Sequence, residues 1–267
     1  MSNEDNTIPV LMYHEVTDYP EIKKKIRRID PDYSLSADSF HDHMTYLFDE
    51  GYRTISCDEL LNYQFPVKRQ CVLTFDDGLI GNYQIAFPIC KKFGFKATIF
   101  VVVSGICTSR FMNWAQLCEL TDNGFSIQSH TMTHADLNNL NEHEILYELS
   151  ESKKILEKNV GGKVEFLSLP FGSGNKTVLK IARDLGYRAV FTSAYYQMNL
   201  NYKPAIFGRI PVKASDSMQT YEYLISKKDD QLRKLMIIGM IKDRIKEIIG
   251  LNNYRKVYRL FYRIKLD

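Results

Sequence analysis

The chain has 267 residues, 45% of them hydrophobic and 25% charged, which suits a folded globular protein and excludes a disordered, collagenous or low-complexity chain. Its net charge is +3, from 35 Lys+Arg against 32 Asp+Glu, so no global basic surface for nucleic acid is present. The basic excess is local: residues 227–267 hold twelve Lys/Arg and five Asp/Glu, a charge of +7, and the remaining chain carries −4.

In chain order, short apolar runs rich in β-branched residues predict strands. They are Ile8–Tyr13, Gln70–Phe75, Ala97–Val103, Phe125–Gln128, Val164–Leu169, Arg188–Thr192 and Ala205–Ile210. Helical spacing predicts a helix over Ser39–Glu50, with Phe40, Met44, Leu47 and Phe48 on one face. Further helices are predicted over Trp114–Asp122, stopped by Asn123-Gly124, and over Asn175–Leu185, stopped by Gly186. A longer one spans Glu142–Lys158, with Ile145, Leu146, Leu149, Ile155 and Leu156 as its apolar residues and Asn141 with Glu144 as its polar start. Alternating strands and helices mean parallel pairing with crossover helices. Strands covered on both faces are apolar throughout, as these are. About seven strands in roughly 215 residues suit an α/β barrel or an open doubly wound sheet.

Beyond residue 215 the pattern changes. Gln231–Leu251 reads as an amphipathic helix, with Leu232, Leu235, Ile238, Ile241 and Ile245 against Arg233, Lys234, Lys242, Arg244 and Lys246. Tyr254–Leu266 interleaves aromatic and basic residues. Such a tail either packs on the domain with its basic face in water or lies on an anionic membrane surface. The most apolar run, Ile99–Val103, is far short of the ~18 residues of a spanning helix. Met1–Thr7 is acidic and polar, unlike a secretory signal. Together these give the expectation of a cytoplasmic protein, with attachment to the inner membrane face as the second of the two readings of its tail. Cys57, Cys71, Cys90, Cys107 and Cys118 form no Cys-x-x-Cys pair and read as reduced, buried packing residues.

In parallel α/β folds the C-terminal strand ends build the active site. Here His14 follows the first predicted strand, Asp76-Asp77-Gly78 the second, His130 and His134 the fourth, and Pro170-Phe171-Gly172 the fifth. The last strand leads into Arg209. His130 and His134 are spaced i, i+4, within reach of one ion. Loop histidines bonding backbone carbonyls are the alternative, and Asp-Gly alone would read as a turn. Two adjacent carboxylates repel each other, unless one binds a cation and the other acts as a base. Two His and one carboxylate suit Zn²⁺ with a position left for water. They also suit a non-haem iron oxygenase, where Asp76 would have no task.

Thr74-Phe-Asp-Asp-Gly78, Ser129-His-Thr-Met-Thr-His134 and Leu169-Pro-Phe-Gly172 resemble the successive motifs of polysaccharide deacetylases with NodB homology, carbohydrate esterase family four. The resemblance covers roughly Ile8 to Lys213 and implies a distorted (β/α) barrel of about seven parallel strands. It implies a deacetylase domain over 1–215, with a motif core of about 67–215, followed by a basic helical tail over 216–267. It implies that Asp77, His130 and His134 hold a divalent metal, most often Zn²⁺, that Asp76 is the general base, and that Pro170 and the Phe171 N–H line the acetyl groove and oxyanion hole. The implied reaction is hydrolysis of the N-acetyl group of a hexosamine in a glycan, releasing acetate.

Two positions depart from the usual pattern: Ser168 stands where an Arg orients the base, and no His follows His143 to serve as the acid. The circularly permuted branch, which includes the poly-N-acetylglucosamine deacetylases, places the acid His near the N-terminus. Leu11-Met-Tyr-His-Glu15 resembles that segment, which makes His14 the candidate acid. Arg209 is the candidate for the missing Arg. Tyr13, Trp114, Phe171, Tyr195 and Tyr196 are candidates for stacking on sugar rings. An inactive relative that binds glycan or a partner, and a metal-dependent amidohydrolase of small molecules, are the alternatives.

Overall fold

The computed structural model describes residues 8–18, 31–62, 69–194, 198–201 and 203–226. The stretches read at Gln231–Leu251 and Tyr254–Leu266, and the Tyr195-Tyr196 pair, lie outside the described residues. Twelve strands are seen among the described residues: β1 Val10–Tyr13, β2 Glu15–Thr17, β3 Ser34–Ser36, β4 Arg53–Thr54, β5 Gln70–Phe75, β6 Thr98–Val101, β7 Ser126–Ser129, β8 Phe166–Ser168, β9 Ala189–Phe191, β10 Met198–Asn199, β11 Ala205–Phe207 and β12 Ile210–Pro211. The helices are α1 Ala37–Asp49, α2 Cys57–Leu61, α3 Phe87–Lys92, α4 Trp114–Asp122, α5 Glu142–Val160, α6 Lys176–Asp184 and α7 Met218–Ser226. Each of the seven apolar runs supplies a strand.

The main sheet runs β10-β11-β9-β8-β7-β6-β5-β1-β12, with β4 paired to β5. All its pairs are parallel except β10–β11. Chain connectivity forces this sheet to curl. Phe207 ends β11 near one end of the order, and Ile210 begins β12 at the other. Three residues span at most about 11 Å, so the two ends of the ladder must approach each other. The result is a half-barrel with helices around it. Arg209 lies in the connection that joins the two ends.

The sheet encloses an aromatic core in which Phe191 packs on Phe100, Phe166 and Phe207, with ring centroids 5.2, 6.2 and 5.4 Å away. Val10, Val72 and Ala205 join this cluster from the strands, and Cys57 and Leu60 join it from α2. A filled interior leaves the C-terminal strand ends as the place where polar groups can gather.

The helices follow their end signals. Asn141 and Glu144 form a capping box at the start of α5, and Gly161 ends it at φ 78°. α4 starts on a second box, Asn113 with Gln116. The buried face of α1 is Phe40, His43, Met44 and Leu47, a strict i, i+3, i+4, i+7 stripe. Phe48 falls outside this stripe, is 56% exposed and packs at a tilt against Phe93. Leu146 of α5 is likewise exposed, while Glu148 and Ser152 of the same helix are buried.

α7 packs on the domain through Tyr221, which stacks on His43 at 3.7 Å and accepts the Tyr13 hydroxyl hydrogen at 3.0 Å. This helix lies past the boundary drawn at 215. Cys57, Cys71 and Cys90 are buried as expected, but Cys107 is exposed and Cys118 half-buried. All five are free thiols. Among the described residues no helix is long and apolar enough to cross a membrane.

Candidate active site

Strand register brings the site residues to one end of the sheet. β1 pairs with β5 so that Tyr13 faces Phe75, which sets the next residues, His14 and Asp76, side by side at the strand ends. Val101 of β6 faces Ser129 of β7, and Ser129 faces Leu167 of β8. His130 therefore emerges between the Asp76-Asp77 turn and the Pro170-Phe171 turn.

Asp76 is buried, with 2% of its surface exposed, and its carboxylate is gripped from two sides. Arg209 Nη1 donates to Oδ1 and Nη2 to Oδ2, both at 2.7 Å. Ser168 Oγ donates to Oδ2 at 3.2 Å and accepts from Arg209 Nη2 at 2.8 Å. The small side chain at 168 leaves room for a guanidinium that arrives from the other end of the sheet. Arg209 itself is fully satisfied, since Nε donates to the Thr192 carbonyl and Nη1 also reaches Thr74 Oγ1. Burial alone would raise the Asp76 carboxyl, but Arg209, with His130 and His14, outweighs it and holds the group well below the usual carboxylate range.

Asp77, next in the chain, has the opposite environment. Burial pushes its carboxyl up to about 6, with Asp76 adding to the rise and His14 and Arg110 opposing it. Its Oδ1 lies 3.6 Å from His130 Nε2 and 3.7 Å from His134 Nε2. One ligand atom from each of these three residues lies within 4.8 Å of the others. The His130 tautomer follows from its partner: the Ser168 carbonyl only accepts, so His130 Nδ1 donates to it at 2.8 Å. The Nε2 lone pair is then free to face Asp77. Burial lowers the His130 pKa to about 3, so the ring is neutral at pH 7, as a metal ligand must be. A carboxylate and two imidazoles converging in this way form a group that could hold a divalent ion.

Residues 65–190 match the family model for polysaccharide deacetylase. Over these residues the chain is similar to a NodB-type polysaccharide deacetylase domain. YxkH of Bacillus subtilis (strain 168), which its name places among the polysaccharide deacetylases, is 33% identical over 190 residues, 70% of this chain. The chain spans 64% of that relative's length. The poly-β-1,6-N-acetyl-D-glucosamine N-deacetylase of Staphylococcus aureus (strain MRSA252) is 26% identical over 215 residues, covering 74% of this chain and 72% of the relative. Among solved structures, the Streptococcus pyogenes deacetylase PplD in complex with acetate superposes with a TM-score of 0.74 at 28% identity, covering 82% of this chain and 97% of that one.

The remaining candidates of the deacetylase domain take distinct positions. His14 is half-buried, packs on Tyr33 at 4.5 Å, and its Nδ1 is buried with no hydrogen-bond partner among the described residues. Pro170 is buried, and Phe171 is held at φ 61° with its ring edge-on to His134 at 4.7 Å. Gly172, at φ 67°, lies so close to Ser193 that a Cβ would sit 2.0 Å from Oγ. Asp77, Thr131, His134 and Phe171 are four of the six non-glycine residues with positive φ among the described residues. Strained backbone of this kind concentrates at functional sites. Tyr13 is a correction to the list of sugar-stacking candidates: it is fully buried among Phe40, Phe75 and Tyr221. Trp114 is half-buried at the start of α4.

Sequence reasoning missed Thr74 and Glu148. Thr74 donates to the Leu11 carbonyl and accepts from Arg209, joining β5 to β1 beneath Asp76. Glu148 bonds the loop between the two imidazoles. Thr74 opens the first motif but had no role assigned there, and Glu148 stands in no local motif.

Proposed function

We propose that this domain hydrolyses the N-acetyl group of a hexosamine within a glycan, releasing acetate and a free amine, with a zinc ion held by Asp77, His130 and His134. The observation that carries this reading is the pair Asp76-Asp77, whose two carboxylates are made unequal: one clamped by Arg209, the other turned to two imidazole nitrogens. The name of the Staphylococcus aureus relative supports poly-β-1,6-N-acetylglucosamine as the substrate class.

When bound, the ion supplies Lewis acidity, lowering the pKa of water and polarising the acetyl carbonyl. Asp76, kept ionised by Arg209, accepts the proton of the attacking water. Arg209 and Ser168 hold both carboxylate oxygens in place, so the acceptor lone pair has one direction. The Phe171 N–H, presented by the left-handed turn after Pro170, stabilises charge developing on the acetyl oxygen. His14, just past the end of β1 and beside Asp76, gives a proton to the departing amine. Burial of Asp76 and His130 excludes bulk water from the inner wall of the site.

The test is acetate release from short β-1,6-linked N-acetylglucosamine oligomers by zinc-loaded protein. Acetate and free amine should appear in equal amounts, and Asp76→Asn should lower kcat by about 10²–10⁴-fold while keeping zinc. Full activity in Asp76→Asn, or no acetate from any N-acetylhexosamine oligomer with the wild type, would contradict the proposal.

A further inference from the structure

His130 and His134 are joined by a three-residue bridge whose backbone passes through two left-handed conformations, Thr131 at φ 68° and His134 at φ 61°. Residues with a Cβ keep this conformation only where their surroundings impose it. All five amides from 130 to 134 have a partner. His130 N donates to the Val101 carbonyl at 2.9 Å, Thr131 N to Ser129 Oγ at 3.1 Å and His134 N to Thr131 Oγ1 at 3.0 Å. The two central amides, Met132 and Thr133, both donate to Glu148 Oε2 at 2.9 Å. Thr133 Oγ1 donates to Glu148 Oε1 at 2.6 Å.

Glu148 therefore holds the middle of the loop by three hydrogen bonds to both of its oxygens. It is 5% exposed and sits on α5, the longest helix among the described residues, which is capped at both ends and packed along β7. One turn later on the same face, Ser152 Oγ lies 2.8 Å from Ser129 Oγ, which in turn accepts the Thr131 amide. Two residues of α5 spaced i, i+4 thus grip the loop at its start and its centre. From the other side, the Thr131 and Met132 carbonyls accept the amides of Val103 and Ser104. The separation of the two imidazoles is set by this frame. Sequence distance hides it, because a Glu within a helix reads as an ordinary polar position.

We propose that Glu148 is a positioning residue for the metal centre: by fixing the amides of Met132 and Thr133 it sets the spacing of the His130 and His134 donor nitrogens. The inference rests on the reading of Asp77, His130 and His134 as a metal site. A merely structural anchor would affect stability and leave metal affinity alone.

The test uses the full chain and Co²⁺ as probe, with affinity from titration and ligand geometry from the visible absorption of the bound ion. Glu148→Ala should weaken Co²⁺ binding about 10–100-fold and change the spectrum. Glu148→Gln can place its carbonyl oxygen on the two amides and its NH₂ against the Thr133 hydroxyl, so it should bind within about threefold of wild type. Thr133→Val, at an exposed position, removes one of the three bonds and should lose a few-fold in affinity; it decides the matter if Glu148→Ala does not fold. Unchanged affinity in Glu148→Ala, or in Thr133→Val in its stead, would overturn the proposal. So would a loss in Glu148→Gln as large as in Glu148→Ala, since charge rather than position would then be responsible. Wild-type protein that takes up no Co²⁺ would instead refute the metal reading itself.

Discussion

Asp76 shares its carboxylate between two nitrogens of Arg209, a residue 133 positions later. Both side chains are almost fully buried. Removing one member of such a pair strands the other's charge in a low-dielectric interior, which costs far more than the pair itself contributes. Arg209→Met should therefore destabilise the domain by about 3–5 kcal/mol, and Asp76→Asn in the same chain should recover most of that loss. Denaturant unfolding of the two single variants and the double variant measures this. Additive losses would show that the pair is not coupled. Asp76, Asp77, His130, His134 and Phe171 were legible in the sequence, because each sits in a short motif at a strand end. Arg209 was visible only as a substitute for an expected residue at 168, and its place beside Asp76 follows from the curling of the sheet. Glu148 was not legible at all: its partners are backbone amides, which carry no side-chain signature.

At the scale of elements, strands with continuous apolar runs and helices with polar starts were readable, since burial on both faces and end-capping leave local marks. The short pieces β2, β3, β4, β10 and β12 lie outside any separate apolar run and leave no such mark, because pairing with a neighbouring strand rather than composition defines them. α3 was missed for a related reason. It continues from a wide π turn at Asn82–Ala86, just ahead of Pro88, which has no N–H to give to a preceding carbonyl. The contact between α1 and α7 makes a pH prediction. His43 is buried against Tyr221, and burial lowers its pKa to about 4 from 6.5. Above pH 6.5 the ring is neutral in both the folded and the unfolded chain and has no effect. Below it the unfolded chain binds the proton first, so stability falls as pH drops from about 6.5 towards 4. Between pH 7.5 and pH 5 the wild type should lose about 2 kcal/mol more than His43→Gln, because His130, with a shift of the same sign, contributes equally to both proteins. Parallel stability profiles for the two proteins would contradict this.

The described domain is a half-barrel whose closing connection delivers Arg209 to the carboxylate that follows β5, and whose helix α5 braces the histidine loop. The order of the strands explains why the site is assembled from residues as distant as His14 and Arg209: the last strand of the sheet, β12, pairs with the first, β1. A filled aromatic interior leaves the C-terminal strand ends of the described domain as the place where the polar groups gather. The claim on which the functional reading depends is that this end is a metal centre. The measurement that tests it most directly is metal content by elemental analysis, on protein purified without chelator and again after incubation with Zn²⁺, for wild type, His130→Ala and Asp76→Asn. The account predicts about one divalent ion per chain in wild type and Asp76→Asn, and its loss in His130→Ala. Wild-type protein that holds no ion under either condition, or His130→Ala that holds as much as wild type, would contradict it.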